Sequence, residues 1–398
     1  MGPSGDVHFS VVIPTRNRAD TLMHCLRTVV SQRYDNLEIV ISDNFSEDDT
    51  RSVADSFGDS RIRYCKTSSA LNMAHSWEFA LRQARGDWVM ILGDDDGLLP
   101  GALTRLSAII QNAGVDAVSS RFCRYVWPSL SGTSKLQVAL GSGWEIRDAR
   151  HWLKRVLAGL APYSELPWIY TGGVVRRALL ERARHSEGAF FRAMSPDIYS
   201  SVALALVTDR YVFMNEPFAM QGTSIHSNGA ACIGNSPNRK TVDEFFSEAN
   251  LAFYPGLGTG RIKVLSWHVF ESRMQAQHLT REPPPPLIDQ LAIALTFAER
   301  KRDHDAERYC LEIASTAQIS VSAIHSAARR WRTRLRILGA PGWARTHYLT
   351  READSETSSI NNVYDATLAV ALLRSVNAVH RHWLGLKSVF AALCRRVL

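Results

Sequence analysis

The sequence predicts an α/β protein in which a mostly parallel sheet is flanked by helices and followed by a mainly helical C-terminal region. Three observations predict it. Short apolar runs alternate with amphipathic stretches through the first hundred residues. The last of these runs, "WVMILG", is unbroken, as suits a central strand covered on both faces. From about residue 237 onward strand signals give way to helical spacing.

"HFSVVIP" reads as a strand stopped by Pro14, and Leu22, Cys25, Leu26, Val29 and Val30 then recur at the spacing of one helix face. "LEIVIS" is a second strand. Ser46 can cap the following helix, whose first turn carries Glu47, Asp48 and Asp49 where the helix dipole favours acids. "RIRYC" is a short third strand, and Met73, Trp77, Leu81 and Ala84 mark a helix ended near Gly86. After the fourth strand, Pro100 opens a helix with Leu103, Leu106 and Ile110 on one side. This βαβαβαβ order favours parallel strands with helical crossovers. Beyond "VDAVSSRFCRYVW", a turn-rich insert (128–143) leads to a helix over about 149–160. Strand signals return at "WIYTGGVV" and "RYVFMN", with a helix start at Ser195, Pro196 and Asp197 between them. The "PPPP" run at 283–286 is stiff polyproline joining helical pieces.

At 398 residues the chain has room for two to three domains. No apolar run approaches the roughly 18 residues of a membrane span, and "MGPSGDVHFS" lacks the regions of a signal peptide. Six scattered cysteines without a C-x-x-C pair suit reduced thiols, hence a cytoplasmic protein. A formal charge of +7 suggests an anionic partner.

Ligands of such sheets sit beyond the carboxyl ends of the strands. There the chain places "PTRNR", "SDN" and "GDDD", which brings Thr15, Arg16, Asn17, Asp43 and Asp94 to Asp96 to one edge. Arg16 and Arg18 can face phosphates, and Asp43 can accept hydrogen bonds from a base or ribose, although Asp-Asn is also ordinary turn chemistry. Three adjacent carboxylates repel unless a cation joins them, and Mn²⁺ or Mg²⁺ bridging a diphosphate would do so. Neither a P-loop nor a dinucleotide fingerprint is present to explain the cluster.

The run from "VVIPTRNRADTLMHCLRTVVSQRYDNLEIVISDNFSEDDT" to "ARGDWVMILGDDDGLLPGAL" resembles the nucleotide-sugar half of family 2 glycosyltransferases. The resemblance covers about residues 8–125 well and 165–230 more loosely. It implies a GT-A fold and a nucleoside diphosphate sugar (UDP-, GDP- or dTDP-linked) held by Pro14, Thr15, Arg16, Asn17 and Arg18, with Asp43 at the base. It also implies a D-x-D metal element: counting back from Pro100, Asp95 binds the metal and Asp94 the ribose, with Asp96 as the alternative ligand. Gly93 stands where many relatives have an aspartate. Inversion requires a base, which the family's spacing puts at Asp197 in "MSPDIYSSVALAL". Ser-Pro-Asp is equally a good helix N-terminus. "GTSIHSNGA" resembles the segment that closes over the diphosphate, making His226 a metal or phosphate contact. "LPWIYTGG" resembles the acceptor-flanking segment, with Trp168, Tyr170, Gly172 and Gly173 as contacts.

The basic excess lies late in the chain. Residues 321–350 hold Arg329, Arg330, Arg332, Arg334, Arg336 and Arg345 and no acid, with Trp331, Leu335 and Leu338 at helical spacing. The last 33 residues also lack acids and carry Val376, Val379, Trp383, Leu386 and Phe390. Such helices suit an anionic membrane surface, where a lipid-linked acceptor would be met, or else a packed subdomain or a homo-oligomer interface. No recognition module points to nucleic acid.

The expectation is an inverting, metal-dependent transferase of one sugar to a glycan, lipid-linked or natural-product acceptor, at work in the cytoplasm or at the inner face of its membrane. Residues 1–236 form the transferase domain (donor half about 8–125, acceptor half about 126–236) and 237–398 a helical region jointed at 283–286. "AARRW" lacks the Gln of the processive synthases' Q-x-x-R-W, which favours single transfer. A sugar nucleotidyltransferase would need a Gly-rich loop where "PTRNR" stands. A non-catalytic binding protein with basic docking helices is the other alternative.

Overall fold

The computed structural model describes residues 6–227, 253–257, 264–338, 348–353 and 360–375. β1 (Phe9–Thr15), α1 (Ala19–Val30), β2 (Leu37–Asp43), α2 (Thr50–Ser56), β3 (Ile62–Lys66), α3 (Met73–Arg82) and β4 (Trp88–Ile91) alternate as the periodicity requires. β5 (Gly97–Leu98), α4 (Ala102–Ala113), β6 (Ala117–Ser120), β7 (Cys123–Val126), α5 (Pro128–Ser131), β8 (Ser134–Ala139), β9 (Trp144–Asp148) and α6 (Ala149–Leu157) follow. Next come β10 (Gly173–Arg176), α7 (Arg177–Arg182), α8 (Pro196–Val207), β11 (Arg210–Met214) and β12 (Ala219–Thr223). The later part supplies α9 (Leu265–Gln275), α10 (Leu287–Lys301), α11 (His304–Thr316), α12 (Val321–Leu338), β13 (Tyr348–Ala353) and α13 (Val363–Ser375).

The main sheet has the order β3-β2-β1-β4-β10-β6-β11-β9. Only β10 and β9 run against the other six strands. Alternation along β1 sets its two faces. Val11 and Ile13 pack with α1 and α4 through Leu22, Leu26, Leu103 and Leu106. Val12 faces Trp77, Leu81, Leu153 and Val202 of α3, α6 and α8. Burying both faces is why β1 and β4 read as continuous apolar runs.

A second sheet, β13-β8-β7-β12-β5, lies beside the first, and α13 packs on it through Val363, Ala366 and Val370. The chain passes from the first sheet to the second three times: between β4 and β5, between β6 and β7, and between β11 and β12. The Asp94–Asp96 turn is the first of these crossings.

Several local expectations need correction. α4 starts at Ala102 rather than at Pro100, because Gly97–Leu98 pairs with β12 and Gly101 turns the chain at φ 70°. Ser46 does not cap α2, whose N-cap is Asp49; its hydroxyl accepts from Asn17 N instead (2.9 Å). The stretch 128–143 contains α5 and β8. β8 is held by β7 and by the remote β13, a partner that no local pattern reveals. In "WIYTGGVV" only Gly173–Arg176 is strand, since Gly172 turns at φ 94°. The helix from Ala149 ends at Leu157.

Helices α9 to α12 build a core of their own around Trp267, Phe270, Leu291, Leu295 and Ile324. Among the described residues no helix is long and apolar enough to cross a membrane. The expected boundary at 237, Arg345, and the stripe of Val376, Val379, Trp383, Leu386 and Phe390 lie outside the described residues.

Glu271 of α9 is buried. Burial pushes its carboxyl up to about 7, against hydrogen bonds from Gln275 and the Tyr254 backbone N–H that pull it down. Its folded pKa therefore lies above the unfolded value of 4.5, so the cost of ionising it is absent below that value and complete above about pH 7. Urea unfolding of Glu271→Gln should match wild type near pH 4 and exceed it near pH 8, by up to about 3 kcal/mol. An equal effect at both pH values would contradict this origin.

Candidate active site

The residues that follow β1, β2 and β4 meet because these strands are parallel and in register. Thr15 pairs with Asp43, and Val12 with Ile91, so the segments after all three strands emerge at one edge. The first two are laced together. Asn17 N donates to Ser46 Oγ (2.9 Å), Glu47 N to Asn17 Oδ1 (2.8 Å) and Ala19 N to Asp48 Oδ2 (2.9 Å). Asn17 and Phe45 sit at φ 53° and 62°, and a bulky residue in that region is strained. Phe45, missed by the sequence reading, is 40% exposed beside the Lys66 amine (5.6 Å to the ring centroid). An exposed aromatic in a strained turn after a strand was the signal that could have found it.

Asp43 is buried and engaged by its own surroundings. Oδ1 accepts from Ser46 N (2.7 Å), Oδ2 from the Tyr64 hydroxyl, and Lys66 lies 3.8 Å away. Its carboxylate therefore shapes the turn that presents Phe45. Pro14 and Arg16 are half-buried on the same edge, while Thr15 is buried and Asn17 exposed.

The three adjacent aspartates are all buried, and each has its own compensation. Asp94 Oδ1 accepts from Arg18 Nη1 (3.0 Å), and Arg18 Nη2 also donates to the His226 carbonyl (2.6 Å). Burial raises the Asp94 carboxyl above its ordinary range against the pull of Arg18. Asp94 Oδ2 is buried with only Thr15 near enough to help it and no well-formed hydrogen bond. Asp95 Oδ2 accepts from Ser224 N (3.2 Å), Ser224 Oγ (2.7 Å) and Ser227 Oγ. The Asp95 carbonyl accepts from Trp127 Nε1 (3.0 Å).

Asp96 turns inward. Oδ1 accepts from Gly222 N (2.6 Å), and Oδ2 from Gly93 N (3.1 Å) and the Thr171 hydroxyl. Both of its oxygens are committed, and burial followed by the neighbouring Asp95 charge pushes its carboxyl well above the carboxylate range. A Cβ at Gly93 would lie 2.6 Å from both Asp96 Oδ2 and the Tyr170 hydroxyl, so a side chain there would have to displace one or both. The space an aspartate would use at residue 93 is taken by Asp96.

Across this turn stands an aromatic wall. Tyr170 packs on Trp77 (5.1 Å between centroids) and Trp168 (5.7 Å), and Trp168 also meets Tyr163 and Phe122. Trp168 is only 1% exposed, so it backs the wall and presents no surface to a ligand, contrary to its expected role as a contact. Gly172 and Gly173 are likewise buried. Gly173 serves packing, since a Cβ there would lie 2.1 Å from the Trp168 carbonyl oxygen. Tyr170 is half-buried at the surface of the wall.

Asp197 lies in the first turn of α8, with Pro196 at the helix start and Ser195 making no side-chain cap. It is half-buried, and its Oδ2 accepts from the Tyr163 hydroxyl (2.7 Å). Burial raises its pKa, and the hydrogen bond from Tyr163 opposes that rise. Tyr163 was not foreseen, because it comes from a short 3₁₀ turn with no periodic signal. Tyr163 packs on Trp168 and Trp168 on Tyr170, whose hydroxyl lies beside Asp96, so a run of contacts links the aspartate turn to α8. His226 stands apart from the wall, with Nε2 3.4 Å from Asp20 Oδ2 at the head of α1.

Among the described residues no three His, Cys, Asp or Glu side chains cluster tightly enough to cage a metal alone. Small hard cations often take only one or two carboxylates and complete their shell with phosphates and water. The orphaned Asp94 Oδ2 beside Asp95 fits that pattern, whereas the saturated Asp96 does not.

Close packing at Gly222 gives a direct test. A Cβ there would lie 1.8 Å from the Asp95 carbonyl oxygen. Gly222→Ala should lose about 3 kcal/mol or more in urea unfolding, the upper range for overpacking. A loss below about 1 kcal/mol would mean β12 is free to move away from the turn.

Comparison with known proteins gives the following similarities. Residues 10–159 match the family model described as "Glycosyl transferase family 2". Over 100 residues the chain is 38% identical to GalNAc(5)-diNAcBac-PP-undecaprenol beta-1,3-glucosyltransferase of Campylobacter jejuni, covering 24% of this chain and 32% of that protein. It is 34% identical over 87 residues to the Escherichia coli enzyme UDP-Glc:alpha-D-GlcNAc-diphosphoundecaprenol beta-1,3-glucosyltransferase WfaP, covering 22% of this chain and 35% of that one. The chain thus spans about a third of the length of these relatives. Solved structures that align include Staphylococcus aureus TarS 1–349 with UDP (15% identity, 83% of this chain, 91% of that chain, TM-score 0.42). Another is the mannosyltransferase PcManGT of Pyrobaculum calidifontis with GDP-Man and Mn²⁺ (18% identity, 94% and 88%, TM-score 0.42). Residues 10–159 of the chain are therefore similar to family 2 glycosyltransferases.

Proposed function

We propose that the protein is an inverting, metal-dependent glycosyltransferase that moves one sugar from a nucleoside diphosphate sugar to an acceptor by direct displacement. The observation that carries the reading is one run of contacts: Asp197 accepts from Tyr163, whose ring packs on Trp168, which packs on Tyr170, and the Tyr170 hydroxyl lies beside Asp96. This supports a reading in which the carboxylates that would hold a cation and the candidate base belong to one site.

In this reading the donor lies along the edge formed by Pro14 to Arg18 and the turn after β2. Its base rests by the Asp43 turn, where Phe45 offers an exposed ring. Arg16 and Arg18 meet the phosphates, and the carboxylates of Asp95 and Asp94 would hold Mn²⁺ or Mg²⁺. Bound there, such an ion would supply charge neutralisation for the departing diphosphate. Asp96 is left as the anchor of the turn. Asp197 takes the proton from the acceptor hydroxyl as its oxygen bonds to the anomeric carbon, and the bond to the diphosphate breaks on the opposite face. Tyr170 forms the acceptor side of the wall, and His226 stands near the phosphate end. Residues 1–236 would supply the transferase domain, and 237–398 the helical region that borders the acceptor.

Purified protein with Mn²⁺ should slowly hydrolyse one member of a panel of UDP-, GDP- and dTDP-sugars, and Asp95→Ala should abolish this. A panel with neither hydrolysis nor metal-dependent binding would overturn the assignment. Asp197→Asn should keep donor affinity while kcat for transfer falls roughly 10²- to 10⁴-fold, as for a lost general base. Wild-type transfer would remove Asp197 from the reaction. Tyr163→Phe takes away a hydrogen bond that holds the Asp197 pKa down, so the acid limb of the kcat profile should move to higher pH. An unmoved limb would sever the link between Tyr163 and the base.

A further inference from the structure

Helix α12 carries two different faces. At about 100° per residue, Ile324, Ala327, Ala328, Trp331 and Leu335 lie on one side. All but Trp331 are buried against the helical core, and Trp331 packs partly buried on it. The side is anchored to α10 by Trp331 Nε1 donating to Asp289 Oδ1 (3.0 Å) and by the Arg332–Glu299 ion pair. The opposite arc presents Arg336, Arg329, Ile337, Arg330 and Arg334 in that order around the axis. All five are exposed, and Ile337 at 74% and the adjacent Leu338 at 52% are among the most exposed large apolar side chains described.

The four guanidiniums have no acidic partner among the described residues. Arg330 meets only the Ser326 hydroxyl (3.3 Å), and Arg334 stacks on Trp331 (4.8 Å). The two nearest acids of α10, Glu299 and Asp289, are already used by Arg332 and Trp331. No acid occurs anywhere in residues 321–350. A core-packing helix has no physical need for an isoleucine in the middle of its solvent arc, ringed by unpaired cations.

We propose that this face of α12 docks on an anionic phospholipid surface. Charge and shape together select the occupant. Lipid headgroups neutralise the arginines, whose long stems reach outward while Ile337, in the middle of the arc, enters the acyl boundary and Leu338 at the helix end lies to the side of it. A second copy of the chain meeting this face by a two-fold contact would set four arginines against four. Nucleic acid would satisfy the cations but leave Ile337 in water.

Flotation of the full-length protein with vesicles tests this. Binding to vesicles of phosphatidylcholine with 30% phosphatidylglycerol should exceed binding to pure phosphatidylcholine at least tenfold, and should weaken as salt rises. Replacing Arg329, Arg330, Arg334 and Arg336 together by Ser should reduce the phosphatidylglycerol binding at least tenfold. Ile337→Asp with Leu338→Asp should reduce it with all four arginines present, and both variants should keep the wild-type melting temperature. Undiminished binding by the arginine variant would overturn the proposal. So would equal binding to both vesicle types, or duplex DNA binding that only the arginines, and not Ile337 and Leu338, support.

Discussion

The site depends on one buried carboxyl group. Asp96 accepts hydrogen bonds from Gly93 in its own turn, from Gly222 of β12 and from Thr171 in the aromatic loop. Those three partners belong to the crossing out of the main sheet, to the second sheet and to the wall opposite. Buried backbone N–H groups and hydroxyls must find acceptors, and here a single side chain answers several at once. Its satisfaction lets three adjacent carboxyl groups sit together. One is consumed by structure, one is matched by Arg18, and one is held by two serines.

The packing requirements follow from that anchor. A side chain at Gly93 would have to displace Asp96, the Tyr170 hydroxyl or both, and Gly222 has no room for one because the Asp95 carbonyl occupies the space. The absence of an aspartate at residue 93 is thus a consequence of where Asp96 points. The Asp96–Thr171 hydrogen bond ties the aspartate turn to the loop that carries Tyr170.

Much of this was legible in the sequence because it is local. Alternation in β1 and the 3.6-residue periodicity of α1 and α4 fix two layers, and parallel register then brings "PTRNR", "SDN" and "GDDD" to one edge. What was not legible depends on remote partners. β8 needs β13 more than two hundred residues later in the chain, and α13 returns to cover the second sheet. Nor could spacing tell that Trp168 lies inside the wall, or that Tyr163 meets Asp197, since both depend on how a short irregular loop folds against α8. Among the three aspartates, sequence could count positions but not see that both oxygens of Asp96 are spent.

That division of labour among the aspartates is the central claim, and paired measurements on Asp95→Asn and Asp96→Asn test it most directly. Isothermal titration with UDP, with and without Mn²⁺, reports the cation site, and thermal unfolding reports the anchor. The account predicts that Asp95→Asn loses the Mn²⁺-dependent part of nucleotide binding with little change in melting temperature, while Asp96→Asn lowers the melting temperature by several degrees. The reverse pattern, with Asp96→Asn losing metal dependence and keeping wild-type stability, would contradict it.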